Sequence, residues 1–125
     1  MGEIGHLVRS PVISIGTECT ISEAILFFHT QKVEALFVEE SGRYVGMVIK
    51  SELIHRVNEV GVAPETTLVG EGMNRPIPCL DCNISVQEAN DFMSVHHLGY
   101  VAVTEDRQII GILSHQDLKA GSNNS

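Results

Sequence analysis

Tryptophan is absent from this 125-residue chain, and the other aromatic side chains number only two tyrosines and four phenylalanines. Basic residues are also scarce, because eight Lys and Arg face sixteen Asp and Glu for a net charge of −8. No cluster of Lys or Arg interrupts this acidic balance. Nucleic acids and anionic membranes attract proteins through a positive field. We therefore expect neither as a partner.

Long apolar runs are missing as well. No stretch approaches the ~20 apolar residues that cross a bilayer, and residues 1–4 show none of the basic and apolar regions of a secretion signal. Three cysteines cannot all pair with one another, which favours a reducing compartment. We expect a cytoplasmic protein of one compact domain or two very small ones.

The chain contains an internal repeat. A shift of 65 residues aligns the second half with the first without a gap. The identical pairs include Glu23 and Glu88, Ala24 and Ala89, Phe27 and Phe92, Val38 and Val103, Gly46 and Gly111, and Leu53 and Leu118. We predict a first repeat over residues 1–60, a linker over 61–68 and a second repeat over 69–125.

Each repeat is predicted to have the order β-α-β-β-α. Thr20 with Glu23, and Ser85 with Glu88, have the spacing of a capping box, which starts a helix. Apolar residues then follow at helical spacing, and two short strands joined by a tight turn come next. One such unit cannot cover both faces of its sheet. We therefore predict an α/β fold in which two repeats pack with pseudo-twofold symmetry.

Residues 111–117 combine the end of a buried strand with the start of a helix. Ser114 is suited to cap that helix, and Asp117 falls in the first turn beside the positive end of the helix dipole. A hydroxyl and a carboxylate together can hold the vicinal hydroxyls of a ribose, and ligands often bind at this end of a strand. The alternative is that both residues only cap the helix.

These features resemble the paired cystathionine-β-synthase (CBS) domains of the Bateman module. The matching residues are Glu23 and Glu88 in the two capping boxes, the hairpin glycines Gly46 and Gly111, and the run from Gly111 to Asp117. The resemblance spans almost the whole chain. It implies a regulatory, non-catalytic module that binds AMP, ADP, ATP or S-adenosylmethionine in clefts between the repeats and signals to an effector protein.

The resemblance also implies a role for particular residues. In the family, the serine and aspartate at this position hold the ribose, backbone of the other repeat grips the base, and phosphates lie near helix ends. By position, the implied ligand-binding residues are Ser114, Asp117, Ile13, Val33, Glu34, Ala35, His96 and His97. The two histidines have an alternative role, because a cation at a helix end can cap its last carbonyls.

The symmetry-related site departs from the family pattern. It would use Ile49, which has no hydroxyl, and Glu52, which is one methylene longer than aspartate. We therefore expect one competent ligand site per chain. The acidic balance disfavours a triphosphate and fits a monophosphate, a nucleoside or S-adenosylmethionine better.

Two further patterns remain open to interpretation. Leu26 and Phe27 extend the apolar surface of the first predicted helix, while the second repeat has Asn90 and Asp91 in place of Ile25 and Leu26. This asymmetry suggests a homodimer contact or a ligand-free interaction module, and packing within the chain explains it equally well. Cys79 and Cys82 form a CxxC pair, which could bind a metal or sense thiol oxidation, or could simply place Cys79 near the core. No catalytic set or phosphate-binding glycine loop supports an enzyme. We expect no required cofactor and no metal site.

Overall fold

The computed structural model describes residues 2–8 and 12–123, the last three by their backbone alone. Packing divides the chain into two compact units. The first unit is Ile13–Ile77, and the second consists of Met1–Val12 with Pro78–Ser125, as far as these are described. Each unit has its own hydrophobic core.

The first unit contains a three-stranded sheet and two helices. Its elements are β1 (Ser14–Gly16), α1 (Ile21–Gln31), β2 (Ala35–Glu40), β3 (Arg43–Ile49) and α2 (Lys50–His55). The strand order is β1-β2-β3, with β1 parallel and β3 antiparallel to β2. A π-helical segment, Arg56–Val60, continues α2 and ends at Gly61, whose φ is 87°. Glycine adopts this left-handed conformation at little cost.

The second unit repeats this order. Its elements are β4 (Cys79–Asp81), α3 (Val86–Val95), β5 (Tyr100–Glu105), β6 (Gln108–Ser114) and α4 (His115–Asn123). The strand order is β4-β5-β6 with the same parallel and antiparallel pairings. Every strand bound coincides with its counterpart after the shift of 65 residues. The predicted α/β class and the β-α-β-β-α order are confirmed.

Both capping boxes are present. Thr20 Oγ1 accepts from the Glu23 amide at 3.1 Å, and the Glu23 carboxylate accepts from the Thr20 amide at 2.9 Å. Ser85 and Glu88 make the equivalent pair at 3.0 and 3.3 Å. These bonds satisfy amides that the first turn of a helix leaves unpaired. They fix where each helix begins.

The buried faces of α1 and α3 then follow from helical spacing. Ile21, Ala24 and Phe28 are buried on α1, and Ala89 and Met93 are buried on α3. These side chains pack onto strands whose own inward residues form the two cores. Since apolar residues three and four apart share one side of a helix, each helix covers one face of its sheet.

The first residues of each predicted repeat pack with the other repeat. The Ile4 amide donates to Ile84 C=O, and the Gly5 amide donates to Cys82 C=O, both at 3.0 Å. In the first unit, the Val69 amide donates to Cys19 C=O at 2.8 Å. The isolated bridges Glu3–Ser85 and Thr20–Leu68 are equivalent under the repeat shift. The packing units therefore differ from the sequence division 1–60 and 69–125.

The predicted linker, residues 61–68, belongs to the first unit by its hydrogen bonds. The Ile21 amide donates to Thr67 C=O, and the Ser22 amide donates to Pro64 C=O, both at 2.9 Å. These bonds satisfy two more amides of the first turn of α1. No helix among the described residues is long and apolar enough to cross a membrane.

Candidate functional site

The junction between β6 and α4 has the predicted cap. Ser114 ends β6, and its Oγ accepts from the Asp117 amide at 2.9 Å. The His115 amide donates to Gly99 C=O at 2.8 Å, which ties the first turn of α4 to the residue before β5. The predicted role of Ser114 as the N-cap of this helix is confirmed.

This junction places two kinds of oxygen in one helix turn. Ser114 and Asp117 are both half-buried. A serine hydroxyl offers one donor and two acceptor positions, so capping uses only part of its capacity, while a carboxylate only accepts. The positive end of the helix dipole stabilises the carboxylate. The arrangement can hydrogen-bond a pair of neighbouring sugar hydroxyls.

The equivalent junction in the first unit is chemically different. Ile49 ends β3 and contributes no side-chain cap to α2. Glu52 Oε1 accepts from Asn74 Nδ2 at 2.9 Å, and Asn74 itself exchanges two backbone hydrogen bonds with Met47 at 2.8 and 3.0 Å. The carboxylate is therefore used within the unit, and a capping hydroxyl is missing.

The residues implied to grip the base lie in the first unit. Ile13 C=O accepts from the Phe37 amide at 3.0 Å, the Val33 amide donates to Phe28 C=O at 3.2 Å, and Glu34 C=O accepts from the Lys50 amide at 2.9 Å. The carbonyl oxygens of Ile13 and Glu34 each keep a second acceptor position, whereas the single proton of the Val33 amide is already used.

Ile13 and Val33 both pack against the core of the first unit, and Ala35 is buried at the start of β2. The unit thus brings these apolar side chains to one region, where two of them stay partly exposed. Ser114, Asp117, His96 and His97 belong to the second unit. The role of the full set in binding stays a prediction.

His96 and His97 follow the C-terminus of α3, and both are exposed. The His96 amide donates to Phe92 C=O at 3.1 Å, and its ring centroid lies 4.4 Å from that of Phe92. His97 has a φ of 55°, as does its repeat counterpart Lys32 at 56°. A left-handed residue at this point ends the helix.

His115, the residue after Ser114, also belongs to this region. Its Nε2 lies 3.0 Å from Asn90 Oδ1 and 3.5 Å from Ser94 Oγ, so it links α4 to α3. Burial lowers the pKa of His115, and the charge of Lys119 lowers it further. In the sequence, this contact corresponds to a difference between the repeats at both positions. Asn90 and His115 stand where the first repeat has Ile25 and Lys50.

The two cysteines of the CxxC pair differ in exposure. Cys79 is exposed on β4, which corrects the expectation that it lies near the core, while Cys82 is buried. Strand alternation explains this, because Leu80 takes the inward position. Burial raises the pKa of both thiols, and the nearby Asp81, Glu105 and Glu3 raise that of Cys82 further. Among the described residues, no three His, Cys, Asp or Glu side chains gather as a metal site.

Two tandem β-α-β-β-α repeats, with a capped serine and aspartate at one strand–helix junction, define a two-repeat α/β protein. The model of the CBS domain family matches residues 3–59 and 62–122. The chain therefore belongs to the CBS domain family.

Two relatives align over most of the chain. Hypoxic response protein 1 of Mycobacterium tuberculosis is 24% identical over 113 residues, which cover 90% of this chain and 79% of that protein. The CBS domain-containing protein YhcV of Bacillus subtilis is 24% identical over 118 residues, or 94% and 84% of the two chains.

Solved structures share the fold. A Burkholderia ambifaria protein with CBS domains, proposed to act in signal transduction, has a TM-score of 0.87 at 18% identity, covering 100% of this chain and 96% of its own. A hexameric CBS-CP12 protein of bloom-forming cyanobacteria has a TM-score of 0.86 at 20% identity, with coverage of 97% and 71%. Hypoxic Response Protein I with two coordinated zinc ions has a TM-score of 0.75 at 23% identity, with coverage of 97% and 99%.

Proposed function

We propose that this chain is a regulatory module that binds an adenosyl ligand and signals its presence to an effector protein. The observation that carries the proposal is the Ser114–Asp117 pair in the first turn of α4. Membership of the CBS domain family and the likeness to a protein proposed to act in signal transduction support the regulatory class.

Each part of the ligand would meet a different group of residues. The Asp117 carboxylate would accept from the ribose hydroxyls, and Ser114 would add a hydrogen bond from the capacity that capping leaves. Ile13 and Val33 would enclose the base, with backbone of Glu34 and Ala35 at its edge. This division matches what the family resemblance implies.

The charge of the chain limits the ligand at its phosphate end. His96 and His97 are exposed and would meet a phosphate, and the net charge of the whole chain is −8. A triphosphate needs several cations to balance its charge. We therefore propose AMP, adenosine or S-adenosylmethionine as the ligand in preference to ATP.

We also propose one ligand per chain. The first-repeat junction lacks the hydroxyl, and its Glu52 carboxylate accepts from Asn74 at 2.9 Å. A ribose there would have to displace a hydrogen bond made within the protein.

The test is thermal unfolding with AMP, ADP, ATP and S-adenosylmethionine. A ligand present at 100 times its Kd stabilises the folded state by ~2.7 kcal/mol, and the midpoint should rise accordingly. Asp117→Asn keeps the side-chain shape and should abolish the rise, whereas the matched variant Glu52→Gln should keep it. A panel in which no ligand moves the midpoint, or an Asp117→Asn variant that responds like wild type, would contradict the proposal.

A second candidate is a ligand-free dimerisation module. Leu26 is 64% exposed on α1, and one similar structure is described as hexameric. Phe27 packs on the core of the first unit, so a charge there would also disturb the fold. Leu26→Asp is the cleaner probe, and Gln31→Asp adds the same charge at an exposed position on a different side of α1. If light scattering shows a nucleotide-insensitive dimer that only Leu26→Asp dissociates, this candidate is favoured.

A third candidate is a metal or thiol sensor at Cys79 and Cys82. The zinc ions described for Hypoxic Response Protein I make it worth a test. The raised pKa of both thiols counts against it, because the thiolate is the form that binds metals and reacts. Metal analysis of protein purified without chelator, with Cys79→Ser as the control, separates it from ligand sensing.

A further inference from the structure

His115 occupies the position between the capping serine and the aspartate of the proposed ribose site. It is the first residue of α4, and its backbone amide is bound to Gly99 C=O at 2.8 Å. Its side chain is half-buried and turns to α3, where Nε2 lies 3.0 Å from Asn90 Oδ1. An amide oxygen only accepts, so Nε2 is the donor in this bond.

A second polar group of α3 faces the same nitrogen. Ser94 Oγ lies 3.5 Å from Nε2, one turn beyond Asn90. Asn90 lies midway along α3 and Ser94 lies in its last turn, just before His96 and His97, so both contacts join α3 to the first turn of α4. One imidazole therefore connects the helix end proposed to meet a phosphate with the turn proposed to hold the ribose.

The first repeat shows what this position looks like without the link. Under the repeat shift, Asn90 corresponds to Ile25 and His115 to Lys50. Ile25 packs against the apolar core of the first unit. An isoleucine offers no acceptor, so a hydrogen bond of this kind cannot form there. The polar link occurs in the repeat that also has the serine and aspartate.

We propose that His115 is a positioning residue for the adenosyl site, which holds Ser114 and Asp117 in place through its hydrogen bond to Asn90. This inference rests on the proposed function. The bond spans two helices and constrains the first turn of α4 from the side. Loss of the bond would let that turn shift, and groups that bind a rigid ribose lose affinity when they are displaced.

The experiment compares two substitutions of Asn90 by calorimetric titration with AMP and, in parallel, S-adenosylmethionine. Asn90→Ile installs the first-repeat residue and removes the acceptor, so affinity should fall roughly three- to tenfold. Asn90→Asp keeps an acceptor at the same distance and should bind within about twofold of wild type. The unfolding midpoint of each variant without ligand is the control. If Asn90 served only in folding, Asn90→Ile and Asn90→Asp would not differ in affinity when their midpoints are equal.

A double-mutant cycle tests the pairing itself. His115→Lys, again the first-repeat residue, should weaken binding as Asn90→Ile does, and the double variant should be no weaker than either single variant. If wild type binds neither probe, the proposed function fails and this inference with it. If wild type binds but Asn90→Ile binds equally well, or Asn90→Ile and Asn90→Asp weaken binding equally, only the inference fails.

Discussion

The two strand–helix junctions, β6–α4 and β3–α2, share a backbone but differ in chemistry. The amide of the first helical residue donates to the residue before the middle strand in both, at 2.8 Å for His115 and 2.9 Å for Lys50. Ser114 caps one helix, while Ile49 provides no cap for the other. The comparison shows that backbone hydrogen bonds and core packing maintain the repeat, which leaves side chains at the junction able to diverge.

The acidic residue completes this contrast. Asp117 lies in a turn whose dipole and cap favour a binding role, whereas Glu52 accepts from Asn74 of its own unit. One carboxylate is proposed to bind a ligand, and the other stabilises the protein.

The largest effect on stability is expected where the first residues of each repeat pack with the other repeat. Ile4 is fully buried in the core of the second unit, so Ile4→Ala should lower the free energy of unfolding by about 2–5 kcal/mol. Val69→Ala, its counterpart in the first unit, should cost less because valine is smaller. Urea denaturation measures both, and Val60→Ala at a 65% exposed position is the control. A loss for Ile4→Ala no larger than that of the control would contradict the docking.

The next prediction converts one junction into the other. Ile49→Ser with Glu52→Asp supplies a capping hydroxyl and shortens the acid away from Asn74. If the proposed site is right, titration with AMP or S-adenosylmethionine should show two ligands per chain, the new one within about tenfold of the first in affinity. Adding Asp117→Asn should return the count to one. If the variant still binds one ligand per chain, the two junctions differ in more than these two side chains.

The opposite change removes the serine cap of α4. Ser114→Ala should cost about 1 kcal/mol of stability without ligand, because an amide of the first turn of α4 loses its acceptor. Ser114→Thr retains the hydroxyl and should recover most of it. Chemical denaturation of the two variants measures the difference. Equal stabilities would mean that water replaces the serine without cost.

The sequence predicted the elements well where local rules decide them. Capping pairs such as Thr20 with Glu23 satisfy a helix start by themselves, and apolar spacing sets the buried face of each helix. The hairpin turn at Asp106 and Arg107, both with positive φ, also matches its prediction. Ser114 as a cap follows the same local logic, because its partner is only three residues away.

Contacts between distant residues could not be predicted in the same way. The docking of Ile4 beside Ile84 and the bond of Glu52 to Asn74 join residues far apart in sequence. Nothing in the local pattern reports such contacts. The difference between Ile25 and Asn90 left a dimer contact and packing within the chain equally open, and Asn90 accepts from His115 within the same unit. Cys79 is exposed rather than near the core. Which side chains of a three-residue strand face inward depends on the neighbouring strands, so the local sequence does not decide it.

The smallest effect concerns how the free energy of unfolding depends on pH. His115 should contribute to this dependence at the position where the first repeat has Lys50. Burial, followed by the charge of Lys119, lowers the pKa of His115 in the folded state below the value of about 6.5 in an unfolded chain. As the pH falls past that value, the unfolded chain takes up the proton first, so the free energy of unfolding decreases. His115→Gln should make the decrease shallower, and Lys119→Gln should do so in part. Denaturation series from pH 7.5 to 5 measure the difference between each variant and wild type. If His115→Gln leaves the slope unchanged, this histidine does not contribute to the pH dependence, and the contrast with the first repeat is confined to hydrogen bonding.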